Sequence, residues 1–173
     1  MTILKKSLAL LLMLALVLSL GVSAFAVNAQ YSTTQEFLKA LDAEKVKYRY
    51  MGVNNNDKEE VTVSYTGDYC DDIFINIFFS QDLDSVSMRF WNIVDFDEAD
   101  YAKALELANE LNADFKYVKF VVDTDDWSIG AEIDIPIREG EDSAQIAYDA
   151  LYYIVQISDE AYPDLAELAL PAA

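Results

Sequence analysis

Apolar positions along this chain switch between two periods, and the switches mark out its elements. Residues 32–45, STTQEFLKALDAEK, place Phe37, Leu38 and Leu41 on one side of a helix. Thr33 and Glu36 predict a capping box, in which each side chain satisfies a free amide of the first turn. From residue 46 to 94 the period falls to two. VKYRYMGV and EEVTVSYTG predict two strands around the polar turn NNNDK, with Val61, Val63 and Tyr65 on one face. DIFINIFFS and SVSMRFWNIV predict two more around QDLD, rich in the β-branched and aromatic residues that suit a pleated surface. Residues 97–112, DEADYAKALELANELN, return to a helical period, with Asp97 as the cap and Tyr101, Leu105, Ala108 and Leu111 turned inward. A hairpin over 116–137 follows. The last helix, EDSAQIAYDALYYIVQISDEAY, turns Ile146, Ala150, Ile154 and Ile157 inward. Tyr162-Pro163 is expected to break or kink it, since proline disfavours helix in the residue before it; a short turn, PDLAELAL, then closes the chain. The order α-ββββ-α-ββ-α predicts an α+β fold, an antiparallel sheet with helices packed on it.

Parity inside the hairpins fixes their registers, because a slip of one residue turns every side chain to the other face. In KYVKFVVDTDDWSIGAEIDIPI, residues 116–137, the odd positions from Trp127 to Ile137 are apolar and the even ones are small or polar. A four-residue turn from Thr124 to Trp127 then sets Val122 against Ile129, Phe120 against Ala131, Val118 against Ile133 and Lys119 against Glu132. The same register sets Asp134 opposite Tyr117. In residues 73–93 a turn centred on Asp82-Leu83 pairs Ile75 with Phe90, Ile77 with Met88 and Phe79 with Val86. The opposite face of that hairpin carries Phe74 against Trp91, Asn76 against Arg89 and Phe78 against Ser87. If helices cover only one side, Phe74, Phe78 and Trp91 form an exposed aromatic patch, a candidate partner surface. The competing expectation is that another element covers them.

Ahead of these elements lies a stretch with a different purpose. Lys5 and Lys6 precede the run LALLLMLALVLSLGVSAFA, the layout of a signal peptide over residues 1–29, with cleavage after Ala26 or Ala29. The run also nears the length needed to cross a bilayer, which leaves an uncleaved anchor as the alternative. Residues 30–173 then form one domain, secreted or held at the cell envelope, with no membrane contact after cleavage. The whole chain carries 12 Lys and Arg against 31 acids, a formal charge of −19, so nucleic acid and anionic lipid are excluded as partners by repulsion. One cysteine allows no internal disulfide.

Two stretches carry a resemblance. LELANELNADFKYVKFVVDTDDWSIGAEIDIPI, and after it AYDALYYIVQISDEAYPDL, place an acidic-tipped hairpin between two helices. With the preceding elements this resembles the YbjN-like domain family, which shares its fold with the class I type III secretion chaperones. Over residues 32–168 the resemblance is in element order; its sharper part is 104–165, around Asn109, Asn112, Asp123, Asp125 and Pro163. It implies a compact, chaperone-like α+β domain, often dimeric, that binds protein partners or itself and needs no cofactor. The four strands before the second helix are one more than in the chaperones, which work in the cytosol rather than after export.

Candidate chemistry is sparse. Asp123, Asp125 and Asp126 stand close together, as calcium ligands do, but an EF-hand loop starting at Asp123 would put Trp127 at its fifth position, Ser128 at its glycine and Asp134 at its bidentate glutamate. The three remain weak metal candidates, and an extracellular cation-binding module is one alternative function. Hydrolysis by a Ser or Cys nucleophile calls for a base such as histidine, and the sequence has none. Cys70, in GDYCDD, is surrounded by acids that disfavour its thiolate, so it reads as a bystander. A carboxylate pair in a cell-wall or carbohydrate-active enzyme is the other alternative. The preferred expectation is a non-enzymatic protein-binding or regulatory module.

Overall fold

A computed structural model describes residues 29–80, 85–137 and 142–170. The signal peptide expected up to Asn28, with the expected cleavage after Ala26, and the expected Asp82-Leu83 turn lie outside the described residues. The elements follow in the predicted order: α1 (Ser32–Ala43), β1 (Tyr48–Val53), β2 (Lys58–Tyr65), β3 (Ile73–Ser80), β4 (Ser85–Asp95), a 3₁₀ turn (Glu98–Asp100), α2 (Tyr101–Asp114), β5 (Lys119–Asp123), β6 (Ser128–Pro136) and α3 (Ser143–Ala166). The strands form one antiparallel sheet in the order β1-β2-β3-β4-β6-β5. The fold is therefore α+β.

All three helices lie on one side. Alternate residues of β2, β3 and β4, among them Val61, Val63, Ile75, Ile77, Phe79, Val86 and Met88, are buried beneath them. Helix α3 crosses the sheet centre and α1 packs on α3. Phe37 of α1 meets Phe79 of β3 with ring centroids 5.2 Å apart. Each fully buried side chain of this size contributes about 1.5–3 kcal/mol, so this shared apolar layer holds the two sides together.

Three local expectations are corrected. Thr33 does not cap α1: the helix begins at Ser32, after Tyr31, so Thr33 is already helical and its hydroxyl is buried without a hydrogen-bond partner. Glu59 of β2 anchors the chain there instead. Its carboxylate accepts from the Gln30 and Tyr31 amides and from the Tyr50 hydroxyl. Helix α2 buries Ala104, Ala108 and Leu111, while Tyr101 and Leu105 are exposed. Small residues on the inner face let the helix lie close to β5, where the Asn112 side chain gives to and accepts from the Phe120 backbone at 3.0 and 2.7 Å. Pro163 does not end α3, which runs on to Ala166. Burial of Ala161 and Leu165 on either side of the proline outweighs the backbone hydrogen bond it cannot donate.

Candidate partner-binding face

The second side of the sheet has no helix on it. Alternation places Phe74, Asn76 and Phe78 of β3 there, with Ser87, Arg89 and Trp91 of β4 and Lys119 and Val121 of β5. Phe74 is 51% exposed and Trp91 54%, while Phe78 is half-buried. No described element of the chain covers these aromatics. The predicted register holds over Asn76–Phe79, which pair with Arg89, Met88, Ser87 and Val86. The ladder stops short of the expected Ile75–Phe90 and Phe74–Trp91 pairs.

The reason lies on the other edge of β4. Phe90 pairs with Ala131 and Val94 with Ile129, so Trp91, Asn92 and Ile93 stand opposite the single residue Gly130. Such a bulge bends its strand away from the regular ladder. Asn92 takes a positive φ of 48°, which asparagine tolerates better than most residues. A Cβ on Gly130 would lie 2.9 Å from the Phe90 carbonyl oxygen, so only glycine lets the two backbones approach this closely.

The β5–β6 hairpin pairs as its parity predicts: Val122 with Ile129, Phe120 with Ala131 and Lys119 with Glu132, around a turn over residues 124–127. Two expected pairs fail, because β5 begins only at Lys119. Val118 does not pair with Ile133, and Asp134 lies opposite Ser87 of β4 rather than Tyr117. The Arg89 Nη2 donates to both Asp134 oxygens at 2.9 and 3.1 Å. Burial raises the Asp134 pKa, but the Ser87 hydroxyl and Arg89 outweigh it and hold the carboxyl below its ordinary value.

Turn bonds occupy oxygens of two of the three tip acids. An Asp123 oxygen accepts from the Asp125 amide at 2.8 Å. Asp126 accepts from the Ser128 hydroxyl at 2.7 Å and from the Asn92 side-chain amide at 2.9 Å, which ties the hairpin tip to the bulge. Those two donors hold its carboxyl below the usual range. Among the described residues no three His, Cys, Asp or Glu side chains form a group that would hold a metal ion.

Cys70 is buried, and burial with the charges of Asp159, Asp72 and Asp71 pushes its thiol up, against the Asp72 backbone contact. Its surroundings hold a feature that local sequence does not signal. The Asp159 carboxylate, on α3, accepts three successive amides, Asp68, Tyr69 and Cys70, each at 2.9 Å. It fastens the β2–β3 connection to the helical layer.

Fold and face together define a two-layer α+β domain with one bare sheet side. Among solved structures the chain is similar to the crystal structure of YbjN from E. coli, at 15% sequence identity and a TM-score of 0.47, over 82% of this chain and 97% of that one. No family model and no curated protein matches the sequence. The likeness is one of fold, and no function follows from it at this identity.

Proposed function

We propose that this chain is an exported, non-enzymatic module that binds a protein partner, or a second copy of itself, on its bare sheet face. The observation that carries this reading is the exposure of Phe74 and Trp91 on a side where none of the three helices packs. Apolar surface gathered on one face loses hydration cost when a partner covers it, and aromatic residues are enriched at such interfaces. The strongly acidic remainder of the surface favours solubility and turns away nucleic acid. Export rests on the basic start and apolar run of the targeting segment. Of the two candidate cleavage sites the reading favours Ala26, supported by the contacts that cleavage after Ala29 would remove: Ala29 is 3% exposed, and its carbonyl accepts from Gln35 Nε2 at 2.6 Å.

The test is capture of partners from the surface and medium of the source cells, alongside sedimentation of the purified protein. The double variant Phe74→Ser/Trp91→Ser is expected to keep its melting temperature and lose capture, self-association or both. A variant that captures the same proteins and sediments identically to the wild type overturns the proposal.

A further inference from the structure

Where β4 bulges, the bare face is notched. Arg89, Trp91, Val121, Asp123, Gly130 and Glu132 are among the residues lining a cavity of about 50 Å³. The notch is held in shape before any ligand arrives. Asn92 is tied to Asp126, and Asp126 to Ser128, while the absent side chain of Gly130 lets β6 pass close under the bulge.

Its charges are unevenly satisfied. Arg89 is fully engaged: Nη2 holds both oxygens of Asp134, and Nη1 donates to the Met88 and Ile133 carbonyls at 2.8 and 3.3 Å. Glu132 has only long contacts, 3.5 Å to Arg89 Nε and 4.0 Å to Lys119 Nζ, and the Lys119 side chain is 70% exposed. Asp123 has one oxygen bonded to the Asp125 amide, and a carboxylate has room for about four such bonds. Two carboxylates with spare acceptor capacity therefore stand in the same notch as a half-exposed indole.

We infer that this notch takes a cationic side chain, the lysine or arginine of a protein partner. Its charge would lie on the Trp91 ring, between Glu132 at the Lys119 end of the notch and Asp123 at the turn end. Indole is the best of the aromatic rings for holding a cation, and the face of the ring and the carboxylates attract the same charge. The formal charge of −19 draws a basic partner toward the molecule from a distance. The loose Lys119 contact occupies the place a guest would take. The inference rests on the reading that the bare face docks a protein, and it names what that protein presents.

The experiment titrates ¹⁵N-labelled protein with acetyl-arginine amide and, in parallel, with its uncharged isostere acetyl-citrulline amide. Saturable shifts are expected at the Trp91 indole N–H and at the Asn92 and Gly130 amides with arginine only. Asp123→Asn and Glu132→Gln should each weaken binding about two- to fivefold, the range of an exposed ion pair, and Lys119→Ala should strengthen it. Trp91→Leu should abolish it, with amide dispersion elsewhere confirming the fold. Equal shifts from citrulline, or arginine shifts that survive Trp91→Leu, overturn the inference. If arginine leaves the notch unmoved while Phe74→Ser/Trp91→Ser still loses its partner, the notch inference falls and the face reading stands. If neither responds, both fall.

Discussion

Gly67 and Asp159, far apart in sequence, are expected to behave as one unit in a double-mutant cycle. Asp159 takes three backbone amides of the loop that Gly67 opens, and a Cβ built on Gly67 would sit 2.0 Å from the Asp159 Oδ1. The side chain at position 67 and the carboxylate cannot share that space. Gly67→Ala therefore expels the carboxylate and loses all three bonds, which is what Asp159→Ala does directly. Hydrogen bonds to a charged group contribute about 1.5–3 kcal/mol each, but two of these three are open to water and the solvent replaces part of them. About 1 kcal/mol per bond gives about 3 kcal/mol for either single variant. The double variant should also lose about 3 kcal/mol rather than 6, a coupling of about 3 kcal/mol between contacting sites. Urea unfolding of the four proteins at constant m-value measures this, and amide exchange at Asp68, Tyr69 and Cys70 shows whether the same bonds open. Additive losses, within about 0.5 kcal/mol, would refute the reasoning, because the two residues would then act independently.

Glu59 predicts a pH dependence. Its burial raises its pKa, but the hydrogen bonds from Tyr50, Gln30 and Tyr31 outweigh it, so the folded value is below the ordinary one. The stability this group contributes is complete above its unfolded pKa of about 4.3 and is lost as pH falls through the depressed folded value. Glu59→Gln should cost about 2 kcal/mol at pH 7 and less at pH 3; an equal gap at both in denaturant titrations would count against the anchor. Tyr50, pushed up to about 12 first by burial and then by its bond to Glu59, gives the complementary alkaline limb: its contribution holds below about pH 10 and fades as pH rises through 12. Pro163→Ala restores a helical N–H to the Asp159 carbonyl and should stabilise the protein by about 1–2 kcal/mol, since proline costs about 3 kcal/mol in a helix interior and this one lies in the last turn. A melting temperature that fails to rise would show that the proline is already accommodated without loss.

What was legible in the sequence was what repeats. Period-two runs gave the strands, and parity in residues 119–132 gave the register of β5 on β6, because both strands carry one apolar face. In helix α2 the expected face holds at Ala108 and Leu111 and fails at Tyr101 and Leu105, because the inward residue of the first turns is the small Ala104, which a search for large apolar side chains passes over. The aromatic face was legible from alternation in β3. Whether anything covered it was not, since that depends on all three helices choosing the same side. Arg89 inside an apolar strand and Gly130 inside an alternating one were visible hints of the notch. Glu59 and Asp159 were not: among 31 acids nothing local marks the two whose partners lie about 29 and 90 residues away.

The strand order has a consequence for the chain as it is made. β6 is the last strand in sequence, yet it lies inside the sheet, between β4 and β5. A polypeptide emerges from its N-terminus, so β1 to β4 are available to pair while residues 128–136 are still to come. Through that interval β4 is a free edge with a row of unpaired backbone groups, which is where growing chains find one another and aggregate. The kink at Trp91–Ile93 breaks up that row, and in the finished fold only a strand with glycine opposite the kink completes the pairing. The bend that shapes the notch also makes the waiting edge a poor template for any strand except its own.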